Sequence, residues 1–438
     1  MTTLLDAPAF RSALDAARPA RLGRVRSAVG LALEVEGLPL AVGEVVELGG
    51  AAAEVVAVRP GAASCMLLTP LDAPAVGLPV HRVAGTATAP VGRGLLGRVI
   101  DGLGRPIDGR GPVRAEAQVP LRHPSPPPLD RARIDRRLQT GVRVLDALVP
   151  LGRGQRLGLF AGSGVGKSTL LSMIARGSEA EVSVIALIGE RGREVREFLE
   201  DDLGPAGLAR SVVVVATADE PAPMRLRAAQ LATRIAEHER ERGAHVVLMM
   251  DSLTRVAMAQ REVGLSAGEP PATRGYPPST FALLARLLER AGAGTSGSVT
   301  GLYTVLVDGD DHNEPIADQA RSLLDGHVVL DRRIAVAGRY PAVDVLGSVS
   351  RVAGRITPPA ELADAAALRR ALAARTQAQD LIDVGAYQPG ANPLVDAALA
   401  NEHAIDAFLG QRLGESTPLE QTTAALAALV TAIGGAAA

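Results

Sequence analysis

The sequence predicts an α/β protein in three parts: a small β-barrel, a mostly parallel sheet covered by helices on both faces, and a terminal helical region. Three patterns predict it. Short β-runs punctuated by Gly and Pro fill Arg24 to Val83. From about Gly141, apolar strands alternate with helical stretches. After about Arg355, Ala, Leu and Arg recur at helical spacing with no strand-like run.

Each part follows from its residues. Leu4, Leu5, Phe10 and Leu14 stand at helical spacing and give a helical segment over residues 1–20. In the second part, 21–90, the runs Leu31–Val35, Glu44–Leu48, Ala53–Val58 and Cys65–Thr69 are short and regular, which suits a small antiparallel barrel. Cys65 is the only cysteine, so no intrachain disulfide forms. Its apolar neighbours Met66, Leu67 and Leu68 make it an inert core thiol rather than a nucleophile. Gly-rich turns at Gly92, Gly94, Gly97, Gly102 and Gly104 come next, then a connector with Pro120, Pro124 and Pro126–Pro128. In the core, 91–355, the strands are Arg156–Ala161, Val182–Ile188, Val212–Ala216, Val246–Met250 and Leu302–Val307. Such continuous apolar runs separated by helices belong to a sheet buried on both faces. In the last part, 356–438, Leu362, Leu368 and Leu372 keep helical spacing. The Ala-rich stretch Thr422–Ala438 is too short to span a bilayer and reads as a terminal helix with a frayed end.

Composition excludes several classes of function. Basic and acidic residues nearly cancel, 46 against 48, so no global field draws the chain to nucleic acid or membrane. Aromatic residues are 2% and Trp is absent, which leaves few platforms for stacking single-stranded bases. Met1–Arg18 lacks the continuous apolar core of a signal peptide, and the expectation is a cytoplasmic protein.

The chemistry concentrates at Ala161-Gly162-Ser163-Gly164-Val165-Gly166-Lys167-Ser168-Thr169, a Gly-rich loop between a strand and a helix start. Glycines let the backbone approach phosphates, and successive N–H groups at the helix N-terminus bind them. Lys167 reaches the β- and γ-phosphates of ATP, and Ser168, next in register, takes Mg²⁺. The first position departs from the usual pattern, with Ala161 in place of Gly. Of the 46 basic residues 45 are Arg, and the single Lys is Lys167. A compact ammonium fits among phosphates where a planar guanidinium does not, and the chance of a lone Lys falling here is about one in 46.

Two further strand ends carry carboxylates. Val246–Met250 runs into Asp251, placed to hold Mg²⁺ through water. Taken alone, a terminal Asp is as often a helix cap. After Val182–Ile188 come Glu190 and Glu194, the first suited to polarise an attacking water and the second to support the hydrated metal. A charged helix start with pairing along Arg193–Glu197 accounts for part of this run but leaves Glu190 unexplained.

Together with Gly189–Glu194, the stretches Asp251–Arg255, Glu269–Pro278, Asp308–Asp318 and Tyr340–Arg351 resemble the flagellar and type III secretion ATPases, relatives of the catalytic subunits of rotary ATP synthases. The likeness runs from about residue 90 to 355. It implies a RecA-like P-loop core and a homohexamer with nucleotide at each subunit boundary. By position it makes Glu190 the base-like catalytic carboxylate, sets Arg191 beside the phosphates, and makes Arg351 an arginine finger reaching the neighbour's site. Tyr340 matches a ring that packs on adenine, although a core aromatic before a proline turn is the alternative. The family couples hydrolysis to releasing export substrates from chaperones, unfolding them and delivering them to a membrane gate. The implied partners are export-gate, stalk and regulatory proteins and chaperone–substrate complexes, with peripheral attachment at the inner membrane and no nucleic acid.

Asp310–Pro315 favours the flagellar branch, and the injectisome branch is the alternative. A rotary synthase subunit would divide Lys167, Glu190 and Arg351 between two chain types. An RNA motor would need aromatics in the barrel, and Arg24–Val83 has none. A nucleotide-binding protein without turnover would not need both Glu190 and Arg351.

Overall fold

The structure is a computed structural model that describes residues 21–71, 74–83, 87–162, 164–307 and 314–434. The expected helix over 1–20, the loop residue Ser163 and, of the branch-indicating run Asp310–Pro315, the residues Asp310 to Asn313 lie outside the described residues. The chain divides into two units between Ala87 and Thr88.

The first unit is a closed barrel of six strands: β1 (Gly23–Val29), β2 (Ala32–Glu36), β3 (Val45–Leu48), β4 (Ala51–Arg59), β5 (Ala62–Leu67) and β6 (Pro79–Arg82). Every pairing is antiparallel, in the order β1-β2-β5-β4-β3-β6, and β1 with β6 closes the ring. The pleat explains the inside. In β2, Leu33 and Val35 are buried while Ala32, Glu34 and Glu36 are partly open to solvent. Cys65 sits opposite Leu33 and is fully buried. Burial pushes its thiol up to about 12, so it is an inert core group.

The second unit is built on a nine-stranded sheet. Its main strands are β7 (Val99–Asp101), β8 (Arg156–Ala161), β9 (Val182–Glu190), β10 (Ser211–Thr217), β11 (His245–Asp251), β12 (Ser298–Leu306), β13 (Gly326–Leu330) and β14 (Val343–Ser350). They lie in the order β14-β13-β8-β12-β11-β9-β10-β7, with the short strand Gly292–Ala293 pairing β12. All run parallel except β14 and that short strand. Val184, Ile185 and Ala186 are successive and all fully buried, which only a sheet covered on both faces allows. Each such Val or Ile contributes about 1.5–3 kcal/mol of burial.

The helices that matter here are α1 (Arg143–Leu148), α2 (Lys167–Gly177), α3 (Ala222–Glu241) and α4 (Leu253–Ser266) around the sheet. Then come α5 (Pro359–Asp383), α6 (Pro393–Ala400), α7 (Glu402–Leu409) and α8 (Leu419–Ala432). Leu368 of α5, Phe408 of α7 and Leu426 of α8 share one apolar cluster with Leu145 and Leu171. The C-terminal helices therefore join the core of the sheet rather than standing apart from it.

The structure adds edges that periodicity did not reveal. Val99–Asp101, read as part of a turn region, is an edge strand paired with Val213–Val215. Three residues are too few to show a period, and only the neighbour makes them a strand. At the other edge, β14 turns back antiparallel on β13.

Candidate active site

Because seven of these strands run parallel, their C-terminal ends share one edge, and ligands of such sheets bind there. Strand β8 ends at Ala161 and feeds the Gly-rich loop. Val165 is 2% exposed and anchors that loop in the core. Gly166 caps α2 in the left-handed region at φ 89°, a conformation Gly adopts without steric cost. Lys167, Ser168 and Thr169 then form the first turn of α2, where unpaired backbone N–H groups and the helix dipole favour an anion.

The Lys167 side chain turns onto the neighbouring strand ends. Its Nζ donates to Asp251 Oδ1 at 2.6 Å and to Glu190 Oε1 at 3.4 Å. Asp251 is the last residue of β11, and Glu190 is the last of β9. Glu190 and Asp251, far apart in sequence, thus meet at one amine because β9 and β11 are adjacent and in register, Leu187 opposite Asp251. Asp251 also accepts from Thr304 Oγ1 of β12 at 2.8 Å, which fixes its carboxylate.

The electrostatics follow from burial. Burial opposes charge on Lys167, but Asp251 and Glu190 outweigh it and hold the ammonium above its ordinary range. Burial pushes Glu190 above the usual carboxylate range; Lys167 pulls it down, and a hydrogen bond with Glu194 pushes it up again. Burial likewise raises Asp251 against the pull of Lys167. One amine faces two carboxylates, Asp251 and Glu190, and their excess negative charge suits a divalent cation with oxygen ligands. Among the described residues no group of three or more His, Cys, Asp or Glu side chains is arranged to hold a metal.

Other residues singled out from the sequence fall differently. Glu194 lies 3.7 Å from Arg191 and is 42% exposed, while Arg191 is 82% exposed. Gly162 and Gly164 continue the loop, with Arg332 Nη2 3.5 Å from where a Cβ on Gly162 would stand. The Tyr340 ring, 43% exposed, lies against the loop: a Cβ on Gly166 would be 3.2 Å from its Cδ1. That ring lines a cleft beside α2, which removes the core-aromatic alternative. Arg351 lies at the opposite end of the sheet. Val343 pairs with Leu330 beside Ala161, and β14 then runs back until Ser350 faces Gly326. Arg351 N donates to Asp325 O at 3.0 Å there. Because the register of β14 is irregular, the separation is only the length of β13 from Leu330 to Asp325, roughly 13–17 Å at about 3.3 Å per residue, still beyond the reach of a side chain to its own loop.

Two residues went unnoticed in the sequence. Thr304 gave no local signal, since its contact with Asp251 spans 53 residues. Arg255 packs beside Gly189, where a Cβ would be 3.0 Å from its own Cβ, and its Nε is buried with no hydrogen-bond partner among the described residues. Ser252, before it, caps α4 by accepting from Arg255 N.

A Gly-rich loop feeding a helix from the middle of a parallel sheet, with a buried amine between two strand-end carboxylates, defines the core of a P-loop ATPase. The family model described as the ATP synthase alpha/beta family, nucleotide-binding domain, matches residues 141–350, and that of the T3SS EscN ATPase C-terminal domain matches residues 357–428. The flagellum-specific ATP synthase of Bacillus subtilis (strain 168) is 48% identical over 93% of this chain and 95% of its own. The type 3 secretion system ATPase of Xanthomonas euvesicatoria is 48% identical over 96% of this chain and 97% of its own. Among solved structures, the assembled ATPase EscN in complex with its central stalk EscO, from enteropathogenic E. coli, superposes with a TM-score of 0.86 at 40% identity. It covers 93% of this chain and 100% of that one. The chain belongs to the family of flagellar and type III secretion ATPases.

Proposed function

We propose that the chain is the ATPase of a flagellar type III export apparatus, hydrolysing Mg·ATP to release, unfold and deliver export substrates. The observation that carries the chemistry is the contact of Lys167 with both Asp251 and Glu190 at one edge of the sheet. In this reading the loop amides from Gly162 to Thr169, including Ser163, hold the phosphates, and Lys167 leaves its carboxylates for the β- and γ-oxygens. Glu190 then orients the attacking water and takes its proton, with Glu194 as its hydrogen-bonded neighbour. Ser168 and Asp251 would hold Mg²⁺, with Glu194 supporting its hydration, and the ion would supply charge neutralisation. Arg191 lies beside the bound phosphates, and Tyr340 stacks on the base.

Arg351 completes the site of a second copy. Its position at the far end of its own sheet supports action in trans, where it neutralises charge on the transferring group. That requirement, and the assembled state of the solved relative, favour a ring of identical chains, a homohexamer, with a stalk protein as one partner. Export-gate and regulatory proteins and chaperone–substrate complexes are the other proposed partners, with attachment to the inner membrane through them. Among the described residues no helix is long and apolar enough to cross a membrane. The proposed division of the chain remains 1–20, 21–90, 91–355 and 356–438.

The equal identity to a type 3 secretion system ATPase favours an injectisome role as the second reading. Deleting the gene and scoring motility, filament export and effector secretion separates the two. Loss of filaments, restored by the wild type but not by Lys167→Ala, supports the flagellar reading. Normal filaments with lost effector secretion would replace it by the injectisome reading.

A further inference from the structure

Beside α2 lies a cleft of about 970 Å³. Gly166, Thr169 and Met173 form its floor, Tyr340 one wall, and the loop from Gly410 to Glu415 the other. The backbone carbonyls of Gly410 and Leu413 and the Gln411 amide of that loop are engaged within the protein. The Arg143 guanidinium donates to Gly410 O, and to Ala407 O and Phe408 O at 3.3 Å. Gln411 N donates to Tyr340 O at 2.7 Å. The Gln411 amide is committed at both ends. Its Oε1 accepts from Arg143 N at 2.8 Å, and its Nε2 donates to Gly141 O at 2.8 Å and Glu415 O at 2.9 Å. Arg412 N donates to Glu415 Oε2 at 3.2 Å, and Leu413 O accepts from Arg176 of α2. At the rim, Arg339 pairs with Asp406 at 3.0 Å.

A site distinguishes one base from another by aiming unpaired donors and acceptors at the base edge, and it rejects the wrong base because those groups are then left unsatisfied. Here the hydrogen-bonding groups hold the wall to its own scaffold. What the cleft offers a base is the Tyr340 ring and the aliphatic surface of Leu170, Met173 and Leu413, with Thr169 and the exposed Arg412 side chain also on its lining. Every base has a π-face, so stacking of this kind tolerates any of them.

We infer that the chain hydrolyses purine and pyrimidine nucleoside triphosphates generally, with the triphosphate rather than the base supplying recognition. The inference rests on the reading that the base lies in this cleft against Tyr340. A site offering mainly apolar contact separates substrates by about 10- to 200-fold, whereas one built to hydrogen-bond its substrate separates them by about 10⁴-fold or more.

The test is phosphate release by the full chain with ATP, GTP and CTP at matched Mg²⁺, for the wild type, Tyr340→Ala and Tyr340→Phe. The expected result is turnover of all three with similar kcat, kcat/KM values within about a hundredfold, and a KM raised for all three by Tyr340→Ala but not by Tyr340→Phe. A preference for ATP of about 10⁴-fold, with Tyr340→Ala raising its KM, overturns the tolerance while leaving the base in the cleft. Unchanged KM values for every nucleotide in folded Tyr340→Ala overturn the placement of the base and the inference with it.

Discussion

Lys167 is the one lysine in a chain that elsewhere uses arginine, and it sits in a space closed by Asp251 and Glu190. Lys167→Ala should lower kcat by at least about 10³-fold, and Lys167→Arg by about 10²-fold or more, because a planar fork does not fit where an ammonium does. Phosphate release measures both, and an arginine variant with wild-type turnover would sink the steric argument. Glu190→Gln keeps the shape and removes the proposed base. It should bind nucleotide with near-normal affinity while losing about 10²- to 10⁴-fold in turnover, seen by comparing calorimetric binding with hydrolysis. Glu220, just beyond β10, makes a pH prediction. Burial first, then Asp101 and Asp219, push its carboxyl up to about 7, and its Oε2 has no hydrogen-bond partner among the described residues. The folded chain therefore holds a proton there that the unfolded chain releases at a lower pH. Stability from this group is present below the unfolded value and is lost as pH rises through about 7. Glu220→Gln should raise Tm by about 1–3 °C at pH 8 and give no gain at pH 5. A gain of equal size at both pH values would refute the assignment.

At the scale of elements, the strand ends do most of the positioning. Asp251 and Glu190 were legible as candidates because each closes an apolar run, and Lys167 because its loop has a fixed spacing. Their meeting was not legible, since it depends on β9 and β11 being neighbours, and sequence order does not state that. Thr304 was invisible for the same reason: a hydroxyl within a buried strand looks like any strand threonine until the adjacent strand is known. Helix α3 carries a different kind of constraint. Glu237 is fully buried and accepts from Arg290 Nε and Nη2, both at 2.7 Å, with Arg234 at 3.6 Å. Removing one partner strands the other charge in the interior. Arg290→Ala should cost about 3–5 kcal/mol in chemical denaturation, and the double variant Arg290→Met with Glu237→Leu should recover most of it. A single variant as stable as the wild type would show that the pair carries no such load.

For the molecule as a whole, the decisive geometry is that Arg351 and the Gly-rich loop occupy opposite ends of one sheet. If Arg351 acts as proposed, a chain with this arrangement supplies both halves of a site but cannot assemble them from a single copy. Mixing Arg351→Ala with Glu190→Gln chains should therefore restore activity at boundaries that unite an intact Glu190 with an intact Arg351. At equal mixing, about a quarter of boundaries qualify by combination, so recovery to roughly that fraction of wild-type turnover is expected in rings shown to exchange subunits. No recovery in such mixed rings would count against trans action.

The sequence by itself determined the local chemistry: the α/β class, the phosphate loop with its lone lysine, and the carboxylates at strand ends. These rest on residue spacing and hydrophobic period, which act over a few residues and are written in order along the chain. Tertiary structure decided the rest. It paired the three-residue edge strand, joined the C-terminal helices to the core of the sheet, brought Thr304 to Asp251 and set Arg351 at the far end. Those outcomes depend on which strands become neighbours and on apolar surface buried between distant segments, and no short window of sequence holds that information.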